Sequence, residues 1–281
     1  MRKAHWIPFL MILLSFACTK EQNSTSTHMV YSTSSDSTMY YYNLGWQQIM
    51  DYGDYSKAED SYRKALTFDD EFLVGKSVLA RLTQDLDERL ALFEELEKKK
   101  DLIVGEERKV LDVYIALTKF TNLRQQKSEQ AQNALEEARQ LGELNFRTVV
   151  YKYWDEVYLK SEYIEMLHSN YGAKQTLDSM DVLISQDQLT NPFLLGYKAI
   201  LKAEIEEYDE AILLAQQLAK QLDGLAIAKP DAILADIYFK MEDFDTAKIH
   251  ADKANKIDPN NLDASRLKVK IDQAIIDLKG N

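Results

Sequence analysis

The side chains best equipped for chemistry near neutral pH are one cysteine, Cys18, and four histidines, His5, His28, His168 and His250. A thiol or an imidazole at that pH serves nucleophilic, acid–base or metal-ligand work. None of the histidines has a second His, a Cys or a close acidic pair at metal-ligand spacing, which argues against zinc or any other metal. The 9 glycines are isolated, so no phosphate-cradling loop is present. No Gly-x-Ser-x-Gly turn presents a serine nucleophile. Acidic pairs such as Asp69-Asp70 and Glu206-Glu207 fall at helix ends and on polar faces, the pattern of solvated surface. The expectation is a protein that is not an enzyme and uses no cofactor.

Binding chemistry is better represented. Phe146, Tyr151, Tyr153, Trp154, Tyr158, Tyr163 and Tyr171 crowd into residues 145–171. At helical spacing Tyr151, Trp154 and Tyr158 share one stripe, while Phe146, Val150, Tyr153 and Val157 share another. One reading is a helix buried between two neighbours, with tyrosine hydroxyls reaching water. The other is that the Tyr151–Trp154–Tyr158 stripe lines a ligand groove, since Tyr and Trp favour binding surfaces.

The elements that must carry these residues are legible from residues 231–261. Ile233, Leu234, Ile237, Tyr238 and Met241 recur on one helical face. After the tight Met241-Glu242-Asp243 connection, Phe244, Ala247, Ala251 and Ala254 form a second face, and Asp258-Pro259 ends it. Small residues alternate with aromatic ones, which lets two antiparallel helices approach closely. Ala235, Tyr238, Phe244, Ala247, Ala254 and Pro259 resemble the signature of the tetratricopeptide repeat. One such unit cannot bury its own apolar surface, so it implies siblings.

Siblings are present. Residues 40–66 carry Leu44-Gly45-Trp46, a turn at Tyr52-Gly53-Asp54-Tyr55, and then Ala58, Tyr62 and Ala65; Gly53 suits a left-handed turn. Residues 191–223 begin with Pro192 in a first turn and continue with Tyr208, Ala211 and Ala215. Slots at Leu90, Ala131 and Thr176 complete a series with Ala58, Ala211 and Ala247. Residues 262–279, with Leu267, Ile271, Ile275 and Leu278 on one face, read as a capping helix. The expected fold is all-α: an α-α superhelix of about six antiparallel helix pairs spanning residues 38–280.

In the family this resembles, partners lie along the concave surface made by the first helix of each pair. The resemblance then assigns Tyr40, Asn43, Gln47, Met50 and Asp51 in the first repeat to that surface, and Asp236, Phe239 and Lys240 in the last. These residues lack the Lys/Arg-plus-Asn set with which some members clamp a peptide's terminal carboxylate.

The chain's start carries an address. Arg2 and Lys3 precede the apolar run from Trp6 to Leu14, and Ser15-Phe16-Ala17 precede the expected cut, so residues 1–17 read as a signal peptide. The run is too short to span a bilayer, which takes about 20 residues. Cys18 follows at once, and this resembles the lipobox of bacterial lipoproteins, in which the cysteine is acylated; Ser15 stands where leucine is usual. Residues 18–37, rich in Ser and Thr, read as a flexible tether, and Lys20-Glu21 resembles the surface-export signal of lipoproteins from the Bacteroidetes. The net charge of −12 disfavours nucleic acid, whose phosphates need clustered Lys and Arg.

These features lead to a lipid-anchored scaffold of the cell envelope, on the outer membrane and facing periplasm or surface, that binds a protein or peptide partner. A glycan- or nutrient-binding lipoprotein of an uptake system, with the 145–171 aromatics stacking on sugar, is one alternative, and a hydrolase whose active site the repeats conceal is the other.

Overall fold

Helices were expected wherever apolar residues recur every three or four positions, and the computed structural model, which describes residues 27–280, is helical throughout with no strand among the described residues. The expected signal peptide, Cys18 and the first part of the expected tether lie outside the described residues. The first pair is α1 (Asp36–Trp46), continued by a wide π turn (Gln47–Asp51), with α2 (Tyr55–Leu66). Then come α3 (Leu73–Leu82) with α4 (Leu86–Lys99), and α5 (Gly105–Gln125) with α6 (Ala131–Lys152). α7 (Val157–Leu183) breaks at Gly172. α8 (Pro192–Glu204) pairs with α9 (Tyr208–Gln221), α10 (Lys229–Lys240) with α11 (Phe244–Ile257), and α12 (Leu262–Gly280) closes the chain. Helices pack in consecutive pairs, as an α-α superhelix.

The fourth pair is hidden inside α7. Gly172 has φ 78°, which glycine adopts without the steric cost of a Cβ. Lys160, in the first half, donates its ammonium across 2.8 Å to the carbonyl of Leu183 at the end of the second. The two halves therefore run antiparallel about one glycine. Thr176, Met180 and Leu183 of the second half are buried, as the slot pattern required.

Turn chemistry also repeats. Gly53, Glu206 and Glu242 each lie two residues before the aromatic that starts the second helix, Tyr55, Tyr208 or Phe244. Their φ angles are 66°, 63° and 62°. Asp54 and Asp243, one residue on, accept the backbone N–H groups of Lys57 and Thr246 and cap α2 and α11.

Packing follows small against large. Tyr62 is fully enclosed, and a Cβ on Gly45 would lie 2.5 Å from its ring. Around it Tyr42, Trp46, Phe72, Tyr114 and Phe146 interlock, mostly edge to face. The C-terminal pairs use Ala235, Ala247, Ala251 and Ala254 instead and bring their backbones close. Among the described residues no helix is long and apolar enough to cross a membrane.

Three expectations change. The slot at Ala131 moves one turn along α6: Ala134 and Ala138 are buried, while Ala131, the first residue of the helix, is half-buried. In α4 it is Arg89, not Leu90, that is buried. Residues 27–35 are no loose tether. Met29 is 6% exposed and Tyr31 meets Tyr42 and Phe72 edge-on. The strap is pinned by Met29 N–H to Glu156 at 2.8 Å and by Ser32 to Glu107 at 3.0 Å. Two apolar side chains among serines and threonines are enough to seat it.

Candidate functional site, a latched central cleft

The inner helices converge on a cleft of about 410 Å³, within the usual size range of ligand sites. Its walls come from Ile49 and Gly53 after α1, Glu165 of α7, Tyr197 and Ile200 of α8, Asp236 and Lys240 of α10, and Asp263 and Arg266 of α12. A smaller recess of about 200 Å³ continues it toward Trp46, Arg81 and Glu162.

The cleft is closed on one side by contacts between the chain's first and last repeats. Pro230 sits in the first turn of α10, where its missing N–H costs nothing. That helix start aims Lys229 across the axis. Its ammonium donates to the carbonyl of Met50 and lies 4.6 Å from the centre of the Phe193 ring. Asn261 donates to the Gly53 carbonyl at 2.7 Å, and Asp258 accepts the Tyr55 N–H and the Ser56 hydroxyl, each at 2.8 Å. Tyr55 donates its hydroxyl to Asp263 at 2.8 Å. Gly53 is needed here twice over, for its positive φ and because a Cβ would lie 3.1 Å from the Asn261 amide nitrogen.

Charge alternates along the walls. Burial pushes the Lys229 ammonium down to about 8. Burial pushes the Glu165 carboxyl up, and the carboxylates of Glu162 and Asp263 add to the effect. Glu165 enters no hydrogen bond or ion pair among the described residues, and it lines both the cleft and its recess. At the other end His168 meets Glu204 at 2.7 Å and holds that carboxyl below its usual range. Lys240 pairs with Asp236 and lies 3.9 Å from Glu204. The arrangement suits a ligand with both charges and a short apolar segment. Among the described residues no group of His, Cys, Asp or Glu is placed to hold a metal.

The residues singled out in the sequence scatter. Asp236 and Lys240 line the cleft; Phe239 packs against Phe244. Met50 and Asp51 are buried, and Asp51 accepts from Tyr158 at 2.9 Å and Asn191 at 3.0 Å, so neither lies on an open surface. The π turn rotates this end of the helix and presents Ile49 instead. Tyr40 is 63% exposed, Asn43 is exposed and Gln47 is half-buried, all away from the cleft lining.

The aromatic stripe is dismantled. α6 ends at Lys152 and α7 starts at Val157, so Tyr151, Trp154 and Tyr158 never share one helix. Their apparent two-sided pattern is a helix break. Tyr158 stacks on Trp46, Lys160 covers the Trp154 ring at 3.6 Å, and Tyr151 alone is exposed, at 55%. Lys229, Glu165 and Arg266 were missed. The Lys229-Pro230 pair marks a helix start, but nothing local says that it faces Met50.

No protein-family model matches the chain, and no curated protein matches it.

Proposed function

We propose that the chain is a non-enzymatic binding protein of the bacterial cell envelope, similar to tetratricopeptide repeat proteins, which holds a short segment of a protein or peptide partner in the central cleft. The observation that carries this reading is the convergence of first and last inner helices on one charge-alternating cleft. Its walls belong to rigid helices, so binding loses little conformational entropy. Its volume accommodates a few side chains, not a whole domain lying along an open groove. The lone Cys18 after an apolar run supports lipid anchoring, in which two or more acyl chains hold a protein stably at a membrane. Sugar stacking is the weaker reading, because Trp154 and Tyr158 are occupied internally and only Tyr151 and Tyr171 of that stretch are exposed large aromatics.

Two experiments test the reading. Cys18→Ala should release the protein from membranes, and retention at wild-type levels would defeat the anchor. Cross-linking in envelope fractions should recover a partner that Ile200→Glu, which places a charge in the cleft wall, abolishes. Loss instead in a Tyr40, Asn43 and Gln47 triple alanine variant, with Ile200→Glu silent, would move binding to the outer face.

A further inference from the structure

A second cleft, of about 450 Å³, opens beside the first and collects Arg81, Arg89, Arg124 and Arg266, four of the nine arginines in a chain of net charge −12. They come from α3, α4, α5 and α12, so the cluster exists only in the folded superhelix. No carboxylate lines the cleft. Arg81 is neutralised by Glu162 at 2.9 Å. The other three enter no ion pair among the described residues.

Arg89 is the telling one. It is 2% exposed, and its donors are taken up by neutral acceptors: Asn122 Oδ1 at 2.7 Å, the Thr83 carbonyl at 2.8 Å, and Gln125 Oε1. A guanidinium held this way is fixed in place while keeping its full charge. Buried charges are ordinarily paired, because desolvation is costly. Asp85, the carboxylate whose charge favours the Arg89 guanidinium, makes no ion pair with it and instead caps α4 through the Asp87 and Glu88 N–H groups. Burial, followed by the neighbouring Arg124, pushes Arg89 down, and burial followed by Arg266 does the same to Arg124. Phe120, Leu117 and Leu262 supply an apolar wall.

We propose that this arginine cleft binds a small phosphoryl ligand, a phosphate monoester or a pyrophosphate. Guanidinium forks match phosphate oxygens two at a time. A phosphoryl group carries roughly 1.5 to 2 negative charges near neutral pH, so it offsets three arginines outside any ion pair better than one carboxylate does. Arg266 lines the central cleft as well, whereas Arg124 lines only this one, so the Arg124 variant reads this site alone.

The test is calorimetric titration of the full chain in detergent with pyrophosphate, inorganic phosphate and citrate. Pyrophosphate should bind most tightly, and its affinity should fall as salt rises. Arg124→Gln, on the rim, should weaken it about tenfold, and Arg124→Gln with Arg266→Gln further, while Arg63→Gln on the outer surface leaves it unchanged. Unchanged circular dichroism would show that the variants fold. Flotation with phosphatidylcholine vesicles, with and without phosphatidic acid, separates the sources. Arg124-dependent capture by phosphatidic acid makes the ligand a lipid headgroup, and pyrophosphate binding without capture makes it a free one; both support the site. No pyrophosphate binding, tighter binding of citrate, or wild-type affinity in the double variant would overturn it.

Discussion

The side-chain amide of Asn261 donates to the carbonyl of Gly53 across 2.7 Å, joining positions 208 residues apart. The same side chain accepts the Ala264 N–H and starts α12. Asn261→Ala therefore leaves a buried carbonyl unpaired and uncaps a helix, and should cost about 2 kcal/mol. Gly53→Ala should cost a similar ~1–2 kcal/mol, from its φ and its approach to Asn261. Denaturant melts of both single variants and the double should show strong non-additivity; simple additivity would mean that the two residues do not act as one contact.

Glu206 and Glu242 hold the left-handed backbone that Gly53 holds in the first repeat. A side chain there costs about 1–2 kcal/mol, which glycine recovers less its own entropy in the unfolded chain. Glu242→Gly and Glu206→Gly should each raise stability by about 0.5 kcal/mol. A lowered melting temperature would show that those carboxylates hold the turns themselves.

Glu165 sets a pH dependence. Its carboxyl is raised in the fold from an ordinary 4.5, by burial first. Stability from this group is fully present below pH 4.5 and is lost as pH rises toward and through the folded value. Glu165→Gln removes the loss. It should melt like wild type near pH 4 and about 2–4 °C higher at neutral pH and above, the shift expected of ~1 kcal/mol in a chain of this size. Equal melting at every pH would mean that the cleft hydrates Glu165 as well as bulk water does.

The Tyr62 hydroxyl is buried without a hydrogen-bond partner among the described residues. Tyr62→Phe removes an unsatisfied donor and keeps the ring, and should be neutral or stabilising by up to about 1 kcal/mol. Gly45→Ala, by contrast, drives a methyl into that ring and should cost about 1–3 kcal/mol. Thermal melts of the pair, opposite in sign, test whether the close approach of α1 and α2 is what fixes this repeat.

The helices nearest the repeat signature were readable. Ala247, Ala251 and Ala254 are all buried, the turn at Met241-Glu242-Asp243 falls between α10 and α11, and α12 begins at Leu262. Local spacing decides such features. The errors fall where a single residue changes the register. The π turn carries one extra residue and buries Met50, so that Ile49 faces the cleft. The break after Lys152 turns an aromatic stripe into three unrelated side chains. Gly172 packs a whole hairpin into what looks like one helix. The cleft itself was illegible, because Lys229, Asn261 and Asp263 find their partners some 200 positions away. Periodicity within a window of two turns carries no record of that.

The clasp between Gly53 and Asn261 also bears on how the molecule comes apart. In an open array each unit touches only its neighbours, so the terminal units fray first and unfolding proceeds inward. Here the first hairpin is a neighbour of the last. Neither hairpin is free to peel away alone, and loss of either strips contacts from both. Amide exchange should accordingly slow to a similar degree in α2 and α10 rather than fade toward the ends, giving the protein the all-or-none character of a closed domain assembled from parts that ordinarily melt one by one.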